Sequence, residues 1–313
     1  MATAAVPIRA KQRPGDRIFS GTALAAGSTI LVLLAAVAIF LIAQGIPGVL
    51  AAPGDTVILG DENFWQYVAP LAFGTLWAAA LALILATPLS IGIALFISHY
   101  APRRLAQGLG YIIDLLAAVP SVVYGLWGGL VLAPAAQPLY SWLSESMGWF
   151  PLFSGQVSAT GRNIFTVAIV LAVMILPIIT AITREVFLQT PVLHEEAALA
   201  LGSTRWEMIR MAVLPFARPG IISAAMLGLG RALGETMAVT MVLSASGGIT
   251  FQILTASNPS TIAANIALRF PEAFGEGINV LIATGLVLFI VTFAVNAIAR
   301  FVVNRRKDFS GAN

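Results

Sequence analysis

The chain contains no cysteine, only two histidines and few charged residues. Asp, Glu, Lys and Arg make up 10% of its 313 residues, against about 25% in ordinary soluble domains. The absence of cysteine excludes disulfides and thiolate metal sites. His99 and His194 are far apart and lack the spacing of metal ligands, so no metal site is expected. With so few charges, the chain cannot present an ordinary soluble surface.

Apolar residues make up the difference. They account for 58% of the chain, and the mean hydropathy is +0.91. A helix that crosses a bilayer needs about 20 largely apolar residues. We therefore predict an all-α membrane protein with six transmembrane helices. The predicted spans are Ala23–Ala43, Leu71–Ile97, Leu109–Ala133, Phe165–Ile182, Ile221–Leu243 and Val280–Val303.

The basic residues predict the orientation of the chain. Fourteen of the 17 lie before the first span, in the loops after spans two and four, or at and beyond the end of the last span, where Arg300 is counted. Because cytoplasmic loops carry the excess of Lys and Arg, both termini are expected in the cytoplasm of a multi-pass cell-membrane protein. The pI of about 9.6 then reflects topology, and nucleic acid is not an expected partner. We divide the chain into a basic N-terminal segment (1–17), a membrane domain (18–303) with a cytoplasmic loop (184–219), and a tail (304–313).

The loop 184–219, called the elbow below, is predicted to hold two helices. Thr190-Pro191 is typical of a helix start, with an N-cap hydroxyl followed by proline at the first helical position. Gly202 is placed to end that helix in the left-handed conformation. Thr204 and Glu207 have capping-box spacing and predict a second helix, which we expect to stop near Pro215.

The elbow resembles the EAA loop of ABC importer permeases. Glu196-Ala197-Ala198, then Gly202, then Leu214-Pro215 match that pattern in spacing, with Ala212 where the pattern has isoleucine. The resemblance implies the type I ABC importer permease fold and a coupling helix that binds a cytoplasmic ATPase dimer. The alternative is an ordinary amphipathic hairpin. The sequence has no GxxxxGK[ST] P-loop, so we expect no enzyme activity and no cofactor in this chain, with ATP bound by the partner ATPase.

Two charged residues fall inside the predicted fifth span. Arg231 lies about 15 Å along the helix from Ile221, near the middle of the bilayer, and Glu235 follows at i+4, so an ion pair is predicted. Charged residues inside a membrane are a functional-site hypothesis by default. Arg231 could bind a passing anion through its fork of N–H donors, with Thr236 and Thr240 as further donors. The alternative is a permanent ion pair that fixes helix register.

Further segments resemble the PstC-type permeases of phosphate ABC importers. They are Ala118–Gly128, Arg184–Gln189 and Gly230–Met237. This resemblance implies transport of inorganic phosphate, together with a second, PstA-type permease, an ATPase dimer and an extracytoplasmic phosphate-binding protein. Sulfate or molybdate remains an alternative substrate, and an ATP-independent secondary transporter is a second class of function.

Overall fold

The computed structural model describes residues 14–304, which form helices joined by loops without any β-strand. The predicted segments 1–17 and 304–313 lie mostly outside these residues. Three π-helical turns, at Phe96–Tyr100, Gly128–Leu132 and Ile209–Val213, connect consecutive helices, and a 3-10 turn lies at Phe270–Glu272. The α-helices are α1 (Pro14–Leu50), α2 (Phe64–Leu95), α3 (Arg103–Ala117), α4 (Ser121–Trp127), α5 (Ala133–Met147), α6 (Ile164–Leu188), α7 (Val192–Ala200), α8 (Arg205–Met208), α9 (Leu214–Leu233), α10 (Met237–Val242), α11 (Ile262–Arg269) and α12 (Glu276–Asn304).

The structure confirms six candidate membrane spans within residues 14–304, each long and apolar enough to cross a bilayer. The bounds of the third and fifth spans differ clearly from the prediction. The spans are Gly15–Leu50, Phe64–Tyr100, Ser121–Met147, Ile164–Leu188, Arg205–Leu233 and Glu276–Phe301.

The predicted third span, Leu109–Ala133, is wrong because two helices occupy that range. Pro120 has extended backbone (φ −59°, ψ 139°). Proline has no N–H to continue a helix, and it disfavours helical conformation in the residue before it. Helix α3 therefore ends at Ala117 and packs on α6 as a separate amphipathic helix, with Gly110 against the Arg184 guanidinium. The span itself begins at Ser121 and continues through a π turn to Met147.

Helix α6 lies at the centre of the bundle. More than half of its residues are buried, including Ile175 and Ile179. Helix α2 packs along it, and α9 packs against it as well. At the α9 contact, a Cβ on Gly228 would lie 2.8 Å from Ile179 Cδ1, so the missing side chain lets the two helices approach closely. The other spans are thus positioned against α6.

Helix α1 lies at the periphery and packs mainly on α12. Most of its large apolar side chains are exposed. A Cβ on Gly48 would lie 2.3 Å from the carbonyl oxygen of Asn279, and Gly45 approaches the backbone of Ala283. The two helices are therefore joined along a seam of backbone contacts that only glycine permits at Gly48.

The end of the bundle opposite the elbow is held by side-chain amides. Asn163 caps α6 by accepting a hydrogen bond from Thr166 N–H at 2.9 Å. Asn258 Oδ1 accepts one from Ile164 N–H at 3.0 Å, while its Nδ2 donates to Gln252 O at 2.7 Å. Asn163 and Asn258 are fully buried. These bonds fix the loop before α11 against the start of α6.

Candidate transport pathway and coupling elbow

The elbow has the helix–glycine–helix form that was predicted. Gly202 follows α7 with φ +83°, a left-handed conformation that glycine adopts at low cost. Thr204 N–H donates to Glu207 Oε2 at 2.8 Å, and Glu207 N–H donates to Thr204 Oγ1 at 3.3 Å. These reciprocal bonds are a capping box. Both the glycine terminator and the start of the second helix are confirmed.

Two details of the elbow prediction are wrong. Thr190 does not cap α7: Pro191 occupies the N-cap position, and the buried Thr190 hydroxyl has no hydrogen-bond partner. The second helix also does not stop near Pro215. A π turn, closed by Leu214 N–H on Ile209 O, leads into α9, and Pro215 lies in the first turn of α9. There its missing N–H costs little, so α8, the π turn and α9 together form span five.

Helix α7 presents an open surface, because none of its nine residues is buried. Glu196 and Ala197 are exposed, whereas Ala198 packs partly on a buried cluster that includes Phe187 and Ile209. Leu201, just after the helix, is 90% exposed. Leu214 also packs on this cluster from its other side. The elbow therefore rests on the bundle on one face and leaves apolar side chains uncovered on the other.

The predicted fifth span, Ile221–Leu243, is wrong at both ends. The span begins at Arg205, and α9 ends at Leu233. Gly234, Glu235 and Thr236 leave the helix before α10 starts at Met237. We call these three residues the break. Arg231 thus lies in the last turn of α9 rather than in mid-helix.

The predicted Arg231–Glu235 ion pair is wrong for the same reason. Because the chain leaves the helix at Gly234, the i,i+4 spacing no longer places the two side chains on one helical face. Among the described residues, ion pairs within 4.0 Å join His99 to Glu195 and Arg269 to Glu272. Glu235 is buried, and its Oε1 accepts a hydrogen bond from Ala238 N–H at 3.0 Å. It therefore caps the first turn of α10 from the position before the N-cap residue, Thr236.

Arg231 lines a groove of about 670 Å³ between α6, α9 and α12. Sequence reasoning missed two polar groove residues on α12, Asn296 and Arg300. Their i,i+4 spacing was visible, but Arg300 was counted only as a topology signal. Thr236 and Thr240 are not among the groove residues, and each donates its hydroxyl hydrogen to a backbone carbonyl. The groove is lined by Ile178, Ile222, Ser223, Met226, Leu227, Gly230, Arg231, Asn296, Ala299 and Arg300.

Comparisons with known proteins agree with this architecture. The family described as binding-protein-dependent transport system inner membrane component matches residues 86–308. The phosphate transport system permease protein PstC 2 of Mycobacterium tuberculosis is 45% identical over 317 residues, covering 96% of this chain and 94% of that protein. PstC of Mesorhizobium japonicum is 41% identical, with 95% of this chain and 92% of that protein covered.

The solved structures show the same fold. A chain of a bacterial ABC transporter that imports the acidic polysaccharide alginate matches with a TM-score of 0.59 at 18% identity, covering 93% of this chain and 96% of that chain. A second structure of a bacterial alginate ABC transporter, in complex with an alginate-bound periplasmic protein, gives the same score. The fold is that of an ABC importer permease, and the chain belongs to the family of binding-protein-dependent transport system inner membrane components.

Proposed function

We propose that this chain is a permease subunit of an ATP-driven importer and forms part of the pathway for inorganic phosphate. The observation that carries this proposal is its similarity over nearly the full length to permeases named for phosphate transport, at 41–45% identity. The break and the groove give that function a physical basis.

Arg231 is the residue that we expect to bind the anion. It is exposed toward the groove and has no ion pair among the described residues, so its guanidinium is available. A guanidinium offers a planar fork of donors that matches two oxygens of a phosphate. Arg300 lines the same groove and adds a second positive charge. An anion entering the groove therefore meets donors without first displacing a carboxylate.

Beyond Arg231 in the chain, the break and α10 supply different chemistry through Thr236 and Thr240. The hydroxyl hydrogens of Thr236 and Thr240 are used by backbone carbonyls, which leaves their oxygens as acceptors. Phosphate carries at least one proton at pH 7 and can donate to an acceptor, whereas sulfate is fully deprotonated. We propose that these threonine oxygens favour phosphate over sulfate. Glu235 contributes indirectly, because its bond to Ala238 N–H holds α10 in place.

The elbow is proposed to couple the pathway to an ATPase dimer. Glu196, Ala197, Ala198, Gly202, Leu214 and Pro215 would form or support the coupling surface. The exposed face of α7 and the uncovered Leu201 suit a docking helix. Hydrolysis of ATP would then take place in the separate ATPase subunit, and this chain would need no cofactor. Since the ATPases are cytoplasmic, the elbow and both termini would face the cytoplasm, in keeping with the basic loops.

A single permease would form half of the pathway. We propose that a PstA-type permease completes it and that an extracytoplasmic phosphate-binding protein delivers the anion. Large apolar side chains remain exposed on every span of the isolated chain, so lipid and a second permease have surfaces to cover. No role for nucleic acid follows from any of these surfaces.

The test is uptake of labelled phosphate by the complex reconstituted in vesicles, with and without ATP. We expect ATP-dependent uptake that excess phosphate inhibits and that sulfate and molybdate do not. Inhibition by sulfate or molybdate at equal concentration would reassign the substrate. Uptake by this chain alone in nucleotide-free vesicles would instead indicate a secondary transporter. Co-purification of the ATPase, lost when Glu196 and Gly202 are substituted, separates these two classes.

A further inference from the structure

Span two does not adjoin the elbow in the sequence, yet one of its side chains contacts α7. His99 lies in the π turn that ends span two, and its Nε2 is 3.5 Å from Glu195 Oε1 on α7. The His99 side chain is 10% exposed and the Glu195 side chain 23%. The Arg269–Glu272 ion pair, by contrast, is an exposed contact within one turn. The His99–Glu195 pair thus joins separate helices, which the Arg269–Glu272 pair does not.

The His99 ring is held in this orientation by its surroundings. Its Nδ1 is 2.6 Å from Ser98 Oγ, which also lies 2.8 Å from Ala94 O. The ring meets Phe187 edge to face, with the centroids 6.2 Å apart, and Phe187 is 1% exposed. The Ser98 hydroxyl can donate its one hydrogen either to Ala94 O, in which case Nδ1–H of the ring donates to Ser98 Oγ and Nε2 bears a hydrogen in the protonated ring, or to Nδ1, in which case the neutral ring carries its hydrogen on Nε2. Both states can present an N–H to Glu195.

Helix α7 needs such a contact because it buries no residue of its own. Its peptide links lead to span four through Gln189–Pro191 and to span five through Leu201–Thr204. Span two is reached only across space, through the edge of the apolar cluster at Ala198 and through His99. A force applied to α7 is therefore transmitted to spans four and five through the chain and to span two through these contacts.

We propose that His99 is a positioning residue that couples span two to the elbow through Glu195, so that ATPase-driven movement of α7 also displaces span two. The inference rests on the proposed function of the elbow. Because span two packs along the central helix α6, a link to it lets the elbow move both packed helices as one body. Without the link, movement of α7 would reach span two only through its packing on α6 and through the apolar cluster at Ala198.

The test compares His99→Ala, Glu195→Ala and the double variant in the reconstituted complex. A partly exposed ion pair of this kind corresponds to roughly a 2–5-fold effect. We expect each single variant to lower phosphate uptake per ATP hydrolysed by about that factor while the complex still assembles. The double variant should be no worse than either single one, as expected for two partners of one contact. His99→Gln, which retains an N–H donor, should recover part of the loss.

A chain without cysteine permits a second measurement. His99→Cys and Glu195→Cys are combined and joined by a short thiol-specific crosslinker that spans the former contact. We expect the reduced variant to show the lowered uptake per ATP and the crosslinked one to regain it. Loss of uptake on crosslinking would show that α7 must move relative to span two and would overturn the inference. Unchanged coupling in all three alanine variants would also overturn it.

These outcomes are distinct from a failure of the proposed function. If the unmodified complex takes up no phosphate with ATP, the proposed function is wrong. If the unmodified complex is active and the His99 and Glu195 variants are equally well coupled, only this inference is wrong. Assembly is checked in every variant by co-purification of the ATPase, so that misfolding is not mistaken for uncoupling.

Discussion

The elbow and the break are both short segments between helices, but different forces hold their shapes. In the elbow, Gly202 has positive φ and Thr204 forms a capping box with Glu207. The break has neither a positive φ nor a proline. Its helix α10 is held by the Glu235 cap and by packing on α4, where a Cβ on Gly125 would lie 2.9 Å from Ala238 Cα.

The difference teaches which segment keeps its shape when the helices move. The bonds that bend the elbow lie within the elbow itself, so it can be displaced as a unit. The break depends on a neighbouring helix, so a shift of α4 or α9 changes its geometry and the surroundings of Arg231. The elbow, which keeps its own shape, is thus the segment proposed to contact the ATPase. The break, whose shape depends on neighbouring helices, lies near the proposed anion site. Four substitutions test this contrast.

The largest effect is expected at Arg231. Arg231→Ala should lower phosphate uptake by about 30-fold or more, because charge-assisted bonds to the anion are lost. Since Arg231 is exposed to the groove, its removal leaves no buried partner unpaired, and the complex should still assemble. Arg218→Ala, another exposed arginine of α9 outside the groove, is the matched control. Uptake by the Arg231 variant at the control rate would show that the groove does not hold the anion site.

A smaller loss is expected at the cap of α10. Glu235→Ala leaves Ala238 N–H without its side-chain acceptor, which costs about 0.5–2 kcal/mol, and uptake should fall roughly 10-fold. Glu235→Gln keeps a neutral acceptor and should retain more uptake than the alanine variant. Initial uptake rates of the two variants, measured side by side, decide the role. Equal losses would show that the negative charge matters rather than the hydrogen bond.

The elbow is tested at Gly202. No atom lies within 4 Å of a Cβ placed there, so Gly202→Ala costs only the backbone strain of φ +83°, about 1–2 kcal/mol. We expect ATPase stimulation by this complex to fall by roughly 5–10-fold. Gly202→Asn is the control, because asparagine tolerates the left-handed conformation better. An asparagine variant as impaired as the alanine variant would mean that glycine is required for docking, not for the bend.

The smallest effect is expected from crowding the break. A Cβ at Gly125 would meet Ala238 Cα and Met241 Sδ, so Gly125→Ala must displace α10. Overpacking of this kind costs about 1–3 kcal/mol, and we expect uptake to fall by about 3–5-fold with the apparent KM raised. Gly92→Ala, a helical glycine with no atom within 4 Å, should have no such effect. If both variants behave alike, the break does not depend on α4.

The same contrast explains what could be predicted from the sequence. Hydropathy predicted the number of spans, because a helix that crosses a bilayer must be long and apolar. Gly202 and the Thr204–Glu207 box were predictable because their signals act within a few residues. The end of span five was not, because the residues from Met237 on continue the apolar run and only contacts with α4 and the Glu235 cap show that the helix has ended.

Two other differences have different causes, one local and one tertiary. Pro120 falls inside the predicted third span, yet no described backbone hydrogen bond joins α3 to α4 in the helical pattern, and the chain turns there. The groove could not be predicted, since it requires α9 and α12 to lie side by side. Asn296 and Arg300 have the i,i+4 spacing of one helical face, but the sequence does not show that this face lies against α9.

The seam between α1 and α12 has a consequence for biogenesis. Gly45 and Gly48 are shaped to receive the backbone of α12, which is translated after the other described helices. Until α12 is inserted, the glycine side of α1 has no helix against it and lies open to lipid tails. Insertion of α12 displaces those lipids and joins α12 to α1. Of the described spans, α1 is therefore translated first yet gains its main packing partner last, and a translational stop before α12 would leave it without that partner.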